Sequence, residues 1–344
     1  MKSLVKQILK ITAIICVVFL MLLGVYEGAS MFFGKGMPSD VIWSDSDEPA
    51  SMEAGSLVKK DGEDFRILLF SDMQLAGNPF ENAMALKMAG NLTRDTDPDF
   101  IMTTGDNASW FFSDIMSKTV IKKMESLDIP WGVTFGNHDT EWIADRNRTG
   151  NLYEQAENSL FQMGPANIHG VGNYIVNIVD ERGKNVYTLI MLDSNEYRIY
   201  DDGRDYDFIY YDQIKWYEWV IENRKDVPSM LFFHIPLPEF NEAWQMWKSG
   251  EIDRSLGFGD NREDIFCAPV NTGLFDKAKE LGSTTHIFCG HDHINNLSVE
   301  FEGIRLTYGL KTGPSSYSDK DRQGATLITI LDGSNEVTVE HIYY

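Results

Sequence analysis

The chain has 344 residues, of which 43% are hydrophobic, and its formal net charge is −22. This length and apolar content allow one sizeable α/β core or two small ones. The charge is uneven, because residues 1–36 carry a net +3 and residues 37–344 carry −25. A body this acidic argues against a nucleic-acid partner, whose phosphates need a basic patch to replace their counterions.

An apolar segment lies near the N-terminus. Three lysines precede an uncharged run over residues 11–26, an order typical of a secretory signal or an uncleaved membrane anchor. A spanning helix needs about 20 apolar residues, and residues 10–33 reach that length only by including Glu27. We expect residues 1–36 to be an uncleaved anchor rather than a cleaved signal, because Glu27 would occupy a cleavage position that prefers small residues. Either way the lysines stay inside, which predicts a membrane-anchored or secreted protein with its body on the extracytoplasmic side.

The next segment, residues 37–64, is rich in Ser, Asp, Glu, Gly and Pro. Such a composition is typical of a flexible tether. From about Arg66 onward, apolar strand-like runs alternate with helical stretches, the pattern of βαβ units around a buried sheet. We therefore expect one folded domain over residues 65–344.

Five polar strings each follow a short apolar or β-branched run. They are Asp72-Met73-Gln74, Gly105-Asp106-Asn107, Gly136-Asn137-His138-Asp139, His234 and Gly290-His291-Asp292-His293. Each string is expected in the loop after a buried strand, where open α/β sheets place their chemistry. Together they offer carboxylate oxygens, amide oxygens and imidazole nitrogens, a set suited to divalent first-row metals rather than to a soft thiolate site. The strings therefore predict a two-metal hydrolase.

The remaining elements surround these strings. Phe80, Met84, Met88 and Leu92 recur at spacing four and predict one apolar helix face. Further helices are expected at 113–127, 152–162 and around 213–220, a hairpin at 174–178 and 186–191, and late strands at 284–289, 294–301, 304–310, 324–331 and 335–343. Residues 239–264 have no clear period and are expected to be either a lid or pocket rim, or a surface excursion. Two mixed sheets packed face to face, with helices outside, accommodate this order.

The residue types in the strings predict which side chains bind metal and which one donates a proton. Asp106 follows a glycine that permits a tight turn and suits a carboxylate that bridges two metals. Asp72 and Gln74 can reach one metal together, because residues i and i+2 of an extended strand share a face. Asn137 offers an amide oxygen, which leaves the neighbouring His138 available as a general acid.

The histidines supply the nitrogen ligands. His291 and His293 repeat the i, i+2 spacing, and each is able to serve a different metal. His234, isolated after its strand, adds the remaining nitrogen. The sequence also offers 110–112, 141–142 and 308–313 as candidate pocket segments, although packing or loop geometry explains each of them more simply.

In this order and at these separations, the strings resemble those of the calcineurin-like metallophosphoesterases. The resemblance covers residues 65–344, and residues 233–239, 271–275 and 290–295 further resemble the branch with small plant purple-acid-phosphatase-like proteins and a yeast cell-cycle phosphatase. It implies a four-layer α/β/β/α sandwich of two mixed sheets flanked by helices, a phosphate-ester substrate and a dinuclear metal site.

The resemblance also implies two metal sites that share one ligand. We name them the Asp72 site, with Asp72, Gln74, Asp106 and His293, and the His234 site, with Asp106, Asn137, His234 and His291. By the same resemblance, a metal-bridging hydroxide attacks phosphorus, His138 protonates the leaving oxygen and Asp139 orients His138.

Gln74 departs from the family pattern, where histidine is usual. A neutral amide oxygen is a weaker and harder ligand than imidazole, so of two divalent ions we expect Mn or Mg, with Fe or Zn as alternatives. Three functions follow as hypotheses: a membrane-tethered, exported metallophosphoesterase with His138 as general acid, a phosphodiesterase or pyrophosphatase acting on nucleotide or lipid-linked phosphates, and a metal-poor, non-catalytic binding scaffold. The sequence identifies neither the physiological substrate nor the oligomeric state.

Overall fold

Two β-sheets form the centre of the molecule. A computed structural model describes residues 2–33, 35–47, 53–141, 144–224 and 226–344. The strands are β1 (Glu53–Val58), β2 (Phe65–Phe70), β3 (Phe100–Thr103), β4 (Trp131–Val133), β5 (Tyr174–Val179), β6 (Asn185–Met191), β7 (Tyr197–Tyr200), β8 (Gly203–Tyr206), β9 (Ser229–Phe232), β10 (Gly257–Phe258), β11 (Thr284–Cys289), β12 (Ser298–Phe301), β13 (Ile304–Tyr308), β14 (Gly324–Ile330) and β15 (Val337–Tyr343). The larger sheet has the order β1-β5-β6-β9-β11-β13-β12-β10, the smaller has β15-β14-β2-β3-β4, and β7 and β8 form a separate hairpin.

The helices are an N-terminal helix, whose apolar window is unburied, and the helices of the folded body, which lie outside the sheets. They are α1 (Lys2–Phe33), α2 (Pro79–Thr96), α3 (Ser113–Glu125), α4 (Arg146–Glu154), α5 (Tyr211–Glu222), α6 (Glu239–Ser249) and α7 (Leu274–Leu281), with short 3-10 helices at Trp110–Phe112, Arg254–Leu256 and Lys320–Arg322. Buried residues of α2 and α3 join the core of the smaller sheet, whereas α5, α6 and α7 pack on the larger sheet. The expected four-layer α/β/β/α sandwich is confirmed.

Successive side chains of the same strand contribute to two different hydrophobic cores. In β9, Met230 and Phe232 belong to the cluster between the sheets, while Leu231 belongs to the cluster under the outer helices. Successive side chains of a strand point to opposite faces, so a strand buried on both faces reads as a continuous apolar run. This explains why the strands before the polar strings are so apolar.

Two of the predicted helices differ from the helices in the structure. In α2, Met88 and Leu92 are buried, but Phe80 is 80% and Met84 55% exposed, so only half of the predicted apolar face packs. The helix expected at 152–162 begins at Arg146 instead, because the Asp145 side chain caps its first turn by accepting the Arg148 N–H.

The stretch 239–264 contains a helix that the sequence analysis missed. Phe240, Ala243 and Trp247 of α6 are buried, at the three- and four-residue spacing of an apolar helix face. The two cysteines of the folded body, Cys267 and Cys289, are free.

The expected flexible tether is largely ordered against the body. Strand β1 pairs in parallel with β5 at the edge of the larger sheet. Trp43 is buried, and its ring packs edge-on at 5.9 Å from the Trp219 ring. The side chains of Asn151 and Asn167 each accept and donate a backbone hydrogen bond, with Met37 and Trp43 respectively. Strand pairing, one buried tryptophan and these hydrogen bonds thus order a segment whose composition is typical of a linker.

Helix α1 contains the apolar N-terminal run. Residues Val5–Leu22 have a mean hydropathy of 2.2, no part of this window is buried, and it is long enough to cross a membrane. A cleaved signal sequence has the same properties.

Candidate metal centre

The five polar strings meet at one edge of the sandwich. Strands β2, β3 and β4 run parallel, as do β9 and β11 in the other sheet, so the strings that follow them converge. Two groups of potential ligand atoms each lie within 4.8 Å of one another, and both groups are buried. They are Asp106, His234 and His291, and Asp72, Asp106 and His293. Asp106 therefore belongs to both groups, the arrangement that a bridging ligand requires.

Backbone strain is concentrated at these strings. Of the eleven non-glycine residues with positive φ in the described part of the chain, four are predicted ligands, namely Asp72, Gln74, Asp106 and His291. A non-glycine residue held in the left-handed region costs about 1–3 kcal/mol, and such residues cluster at functional sites. The surrounding fold therefore holds these side chains in orientations that an unstrained chain would not choose.

Glycines allow the strings to approach one another. A Cβ atom at Gly136 would lie 2.1 Å from Oδ1 of Asp106, and one at Gly290 would lie 2.1 Å from Oγ of Ser71. Any larger residue would displace a string from the centre.

In the His234 site, the ring nitrogens of His234 and His291 are as far apart as two ligands of one metal ion. Nδ1 of His234 donates to the Thr104 carbonyl oxygen at 2.7 Å, which leaves Nε2 free to bind a metal. This Nε2 lies 3.2 Å from Nδ1 of His291 and 3.1 Å from Oδ1 of Asn137. With metal–nitrogen bonds of about 2.1 Å, a separation of this size corresponds to a ligand–metal–ligand angle of roughly 100°.

The Asp72 site contains a buried carboxylate oxygen without a hydrogen-bond partner. Oδ2 of Asp72 accepts from the Ser71 hydroxyl and the His291 backbone N–H, whereas Oδ1 has no partner and lies 3.5 Å from Nε2 of His293. Nδ1 of His293 donates to the Tyr317 carbonyl oxygen at 2.9 Å. Because buried carboxylate oxygens are costly to leave unpaired, the donor set fits a cation here.

Gln74 reaches the cluster, but its amide nitrogen, not the expected amide oxygen, faces Asp106. Nε2 of Gln74 lies 3.2 Å from Oδ2 of Asp106, and Oε1 accepts from the Lys311 ammonium at 3.2 Å. Lys311 comes from the candidate segment 308–313 and is buried. Burial lowers the pKa of Lys311 to about 8, although the charges of Asp72 and Asp106 oppose this fall.

His138 lies beside the two sites. Its Nε2 is 4.0 Å from Oδ2 of Asp106, and its Nδ1 is 2.7 Å from Oε1 of Glu141. The other carboxylate oxygen of Glu141 accepts the Trp110 backbone N–H at 2.7 Å. Burial lowers the pKa of His138, but the charges of Asp106 and Glu141 outweigh this effect and raise the pKa to about 9. Cations bound nearby would lower the pKa again, toward the neutral range. His138 is thus available as a proton donor.

Asp139 does not have the contact expected of it. Its two carboxylate oxygens accept four backbone N–H groups at 2.8–3.0 Å, those of Asp106, Asn107, Ala108 and Gly136. The structure places Glu141, not Asp139, against the His138 ring. The sequence signal for Glu141 was its place three residues after His138, within candidate segment 141–142.

Replacing Glu141 with glutamine is expected to lower kcat by about 10–100-fold, the range typical of losing a supporting hydrogen-bond partner of a histidine at a metal site. The amide keeps the size of the side chain but removes the charge that favours protonated His138. Steady-state kinetics with equal metal loading measures the effect. An unchanged kcat would contradict this positioning role.

A cleft of about 310 Å³ opens onto the cluster. It is lined by Gln74, Asp106, His138, Tyr206, Glu263, Phe266, His291, His293, Ser316 and Tyr317. The β7–β8 hairpin, which the sequence analysis did not predict, forms part of the site. The Tyr197 hydroxyl accepts from Nδ2 of Asn137 at 2.8 Å, and the Tyr206 ring lies edge-on 4.5 Å from the His291 ring.

Comparisons with known proteins agree with this geometry. The sequence profile of the calcineurin-like phosphoesterases matches residues 65–295. Probable inactive purple acid phosphatase 14 of Arabidopsis thaliana is 31% identical over 249 residues, which cover 64% of this chain and 60% of that protein. Phosphatase DCR2 of Saccharomyces cerevisiae is 32% identical over 234 residues, which cover 62% of this chain and 39% of that protein.

A solved structure shows the same fold. GAP50, described as the anchor in the inner membrane complex of Plasmodium, superposes with a TM-score of 0.50 and 12% identity over 81% of this chain and 84% of that one. The chain spans about three fifths of the length of its Arabidopsis relatives. Because the family profile covers two thirds of the sequence, including all five polar strings, the chain belongs to the calcineurin-like phosphoesterase family.

Proposed function

We propose that this chain hydrolyses phosphate esters at a dinuclear metal centre. The observation that carries the proposal is the position of Asp106, whose carboxylate belongs to both groups of buried ligand atoms. Asp72 and His293 complete one group, and His234 and His291 complete the other. Membership of the phosphoesterase family supports the same reaction.

The chain's own residues account for the binding and protonation steps. Two divalent cations, when bound, supply neutralising charge for the phosphoryl oxygens and lower the pKa of water. The residues that would hold these cations are Asp72, Asp106, His234, His291 and His293. His138 stands at the mouth of the centre and delivers a proton to the leaving oxygen, while Glu141 keeps its ring in place.

The proposed location is the extracytoplasmic face of a membrane. The apolar window Val5–Leu22 and the lysines before it support an anchor with the body outside. The ordered segment 35–47 then joins this anchor to the domain. Comparing the mass of the membrane-bound chain with that of its full sequence distinguishes an anchor from a cleaved signal.

A non-catalytic binding scaffold is the second candidate. The contact between Lys311 and the amide oxygen of Gln74 favours it, because this oxygen was a predicted ligand of the Asp72 site. The word inactive in the name of the Arabidopsis relative, and the description of GAP50 as an anchor, concern those proteins but are consistent with this role.

Metal-loaded turnover separates the two candidates. The full chain in detergent micelles, dialysed against Mn²⁺, is assayed with a phosphomonoester, a phosphodiester and a pyrophosphate, and its metal content is measured in parallel. We expect saturable hydrolysis that chelation abolishes and Mn²⁺ restores. Fewer than one bound metal per chain after loading, with no hydrolysis in any assay, would reject the catalytic proposal in favour of the metal-poor scaffold.

A further inference from the structure

The two amide side chains at the metal centre have opposite orientations. Asn137 places its oxygen 3.1 Å from Nε2 of His234, while its nitrogen donates to the Tyr197 hydroxyl. Gln74 places its nitrogen 3.2 Å from Oδ2 of Asp106, while its oxygen accepts from Lys311. Asn137 thus turns a potential ligand atom toward the cluster, and Gln74 turns one away.

The partner of Asn137 permits either orientation of its amide, whereas the partner of Gln74 permits only one. A hydroxyl group can accept or donate a hydrogen bond, but a lysine ammonium only donates. Rotating the Gln74 amide by half a turn would bring its N–H groups against the Lys311 ammonium, so two donors would face each other at about 3 Å, a normal hydrogen-bond distance. The amide oxygen is therefore retained by the lysine, and an amide nitrogen is not a metal ligand.

Lys311 has little freedom to withdraw from this contact. The residue is 2% exposed, and its ammonium also donates to the Asp72 backbone carbonyl at 2.7 Å. Its own backbone is fixed on both sides, by a bridge to Ser71 and by the Gly324 N–H. Moving the ammonium would leave a buried charge without acceptors, which is costly.

We propose that Lys311 makes the two metal sites unequal, so that the chain binds one divalent cation tightly at the His234 site and a second weakly at the Asp72 site. The His234 site has Asp106, Asn137, His234 and His291 as ligands. The Asp72 site is left with Asp72, Asp106 and His293, and it lies next to a fixed positive charge. This inference deepens the proposed function and rests on its two-metal centre.

The consequence is a hydrolase whose activity follows metal supply. At low metal concentration the chain holds one cation, and only a higher concentration fills the Asp72 site and completes the dinuclear centre. The opposite orientations of the Gln74 and Asn137 amides would then set the metal concentration at which the second site fills.

Binding measurements on the full chain in detergent micelles test this proposal. Mn²⁺ affinities are determined by equilibrium dialysis with metal analysis, and the spin-coupled Mn²⁺ pair is followed by electron paramagnetic resonance. The wild type is expected to bind its first Mn²⁺ at least about 10-fold more tightly than its second. The variant Lys311→Met is expected to raise the second affinity by about 10–100-fold and to leave the first unchanged, within the range known for residues that support metal ligands.

Lys59→Met is the matched control. Lys59 is also buried and donates to a carbonyl, that of Glu63, but its ion pair is with Asp332, outside the metal centre. This variant is expected to leave both Mn²⁺ affinities unchanged. If Lys311→Met does not fold, Gln74→Glu replaces it, because a carboxylate presents oxygen to Lys311 and to the metal together and should strengthen the second affinity by about 10-fold or more.

Each outcome has a defined meaning. Equal Mn²⁺ affinities in the wild type, or affinities that neither Lys311→Met nor Gln74→Glu changes, would overturn the inference. Absence of Mn²⁺ binding by every variant would overturn both the inference and the two-metal centre. Unequal affinities that Lys311→Met equalises, in a chain that hydrolyses no ester, would support the inference and reject the catalytic proposal.

Discussion

Replacing His138 with alanine is expected to lower kcat by about 10²–10⁴-fold, the contribution typical of a general acid. The His138 ring lines the cleft, and its Nε2 lies 4.0 Å from the carboxylate shared by the two sites. An alkyl phosphate has a poor leaving group and depends on this proton, whereas an aryl phosphate such as p-nitrophenyl phosphate needs it less. Steady-state kinetics on one ester of each kind measures the difference.

The metal content provides the control for this variant. His138 belongs to neither group of ligand atoms, so the alanine variant should retain the wild-type number of Mn²⁺ ions. An equal loss of kcat on the alkyl and aryl esters would reject the role of acid. Loss of metal from the variant would instead make His138 part of the binding centre.

Replacing Asp139 with alanine is expected to lower the free energy of unfolding by about 3–5 kcal/mol, because four buried backbone N–H groups lose their acceptor and an unpaired donor typically costs about 1–3 kcal/mol. The Asp139 carboxylate is fully buried and holds the Asp106 loop to the Gly136 loop through four backbone N–H groups. Without it these donors are left unpaired in the interior. Urea unfolding of the variant and the wild type, without added metal, measures the loss.

Asp180 offers a matched carboxylate. It also accepts backbone N–H groups, from Arg182 and Lys184, but at an exposed turn of the β5–β6 hairpin. Alanine there should cost about 1 kcal/mol, as expected for hydrogen bonds that water can replace. Similar losses at Asp139 and Asp180 would show that the first carboxylate does not hold the centre together.

The outline of the site was predictable because strand topology determines it. Apolar runs before Asp72, Asp106 and Asn137 predicted parallel strands, and parallel strands bring their carboxyl ends to one edge. The glycines before Asp106 and Asn137 added a second signal, since the structure has room only for a hydrogen at these two positions. Spacing along the sequence was therefore enough to bring the strings together.

The contacts that tune the site were not predictable in the same way. Lys311 follows Gln74 by 237 positions in the chain, and no local pattern pairs the two. The orientation of an amide depends on a partner of this kind. Glu141 and Asp139 are both carboxylates close to His138 in sequence, and only the turn of the loop decides which one touches the ring.

If α1 is the proposed membrane anchor, the ordering of segment 35–47 limits how far the domain can move from the bilayer. Gly36 donates its backbone N–H to the Asp145 side chain at 3.0 Å, and α1 ends at Phe33, so the intervening chain reaches at most about 11 Å even when fully extended. Asp145 caps the helix that follows the His138 loop. If α1 is inserted as the proposed anchor, the Gly36 attachment point stays close to the end of the membrane helix, and the domain would meet phosphoesters near the membrane surface.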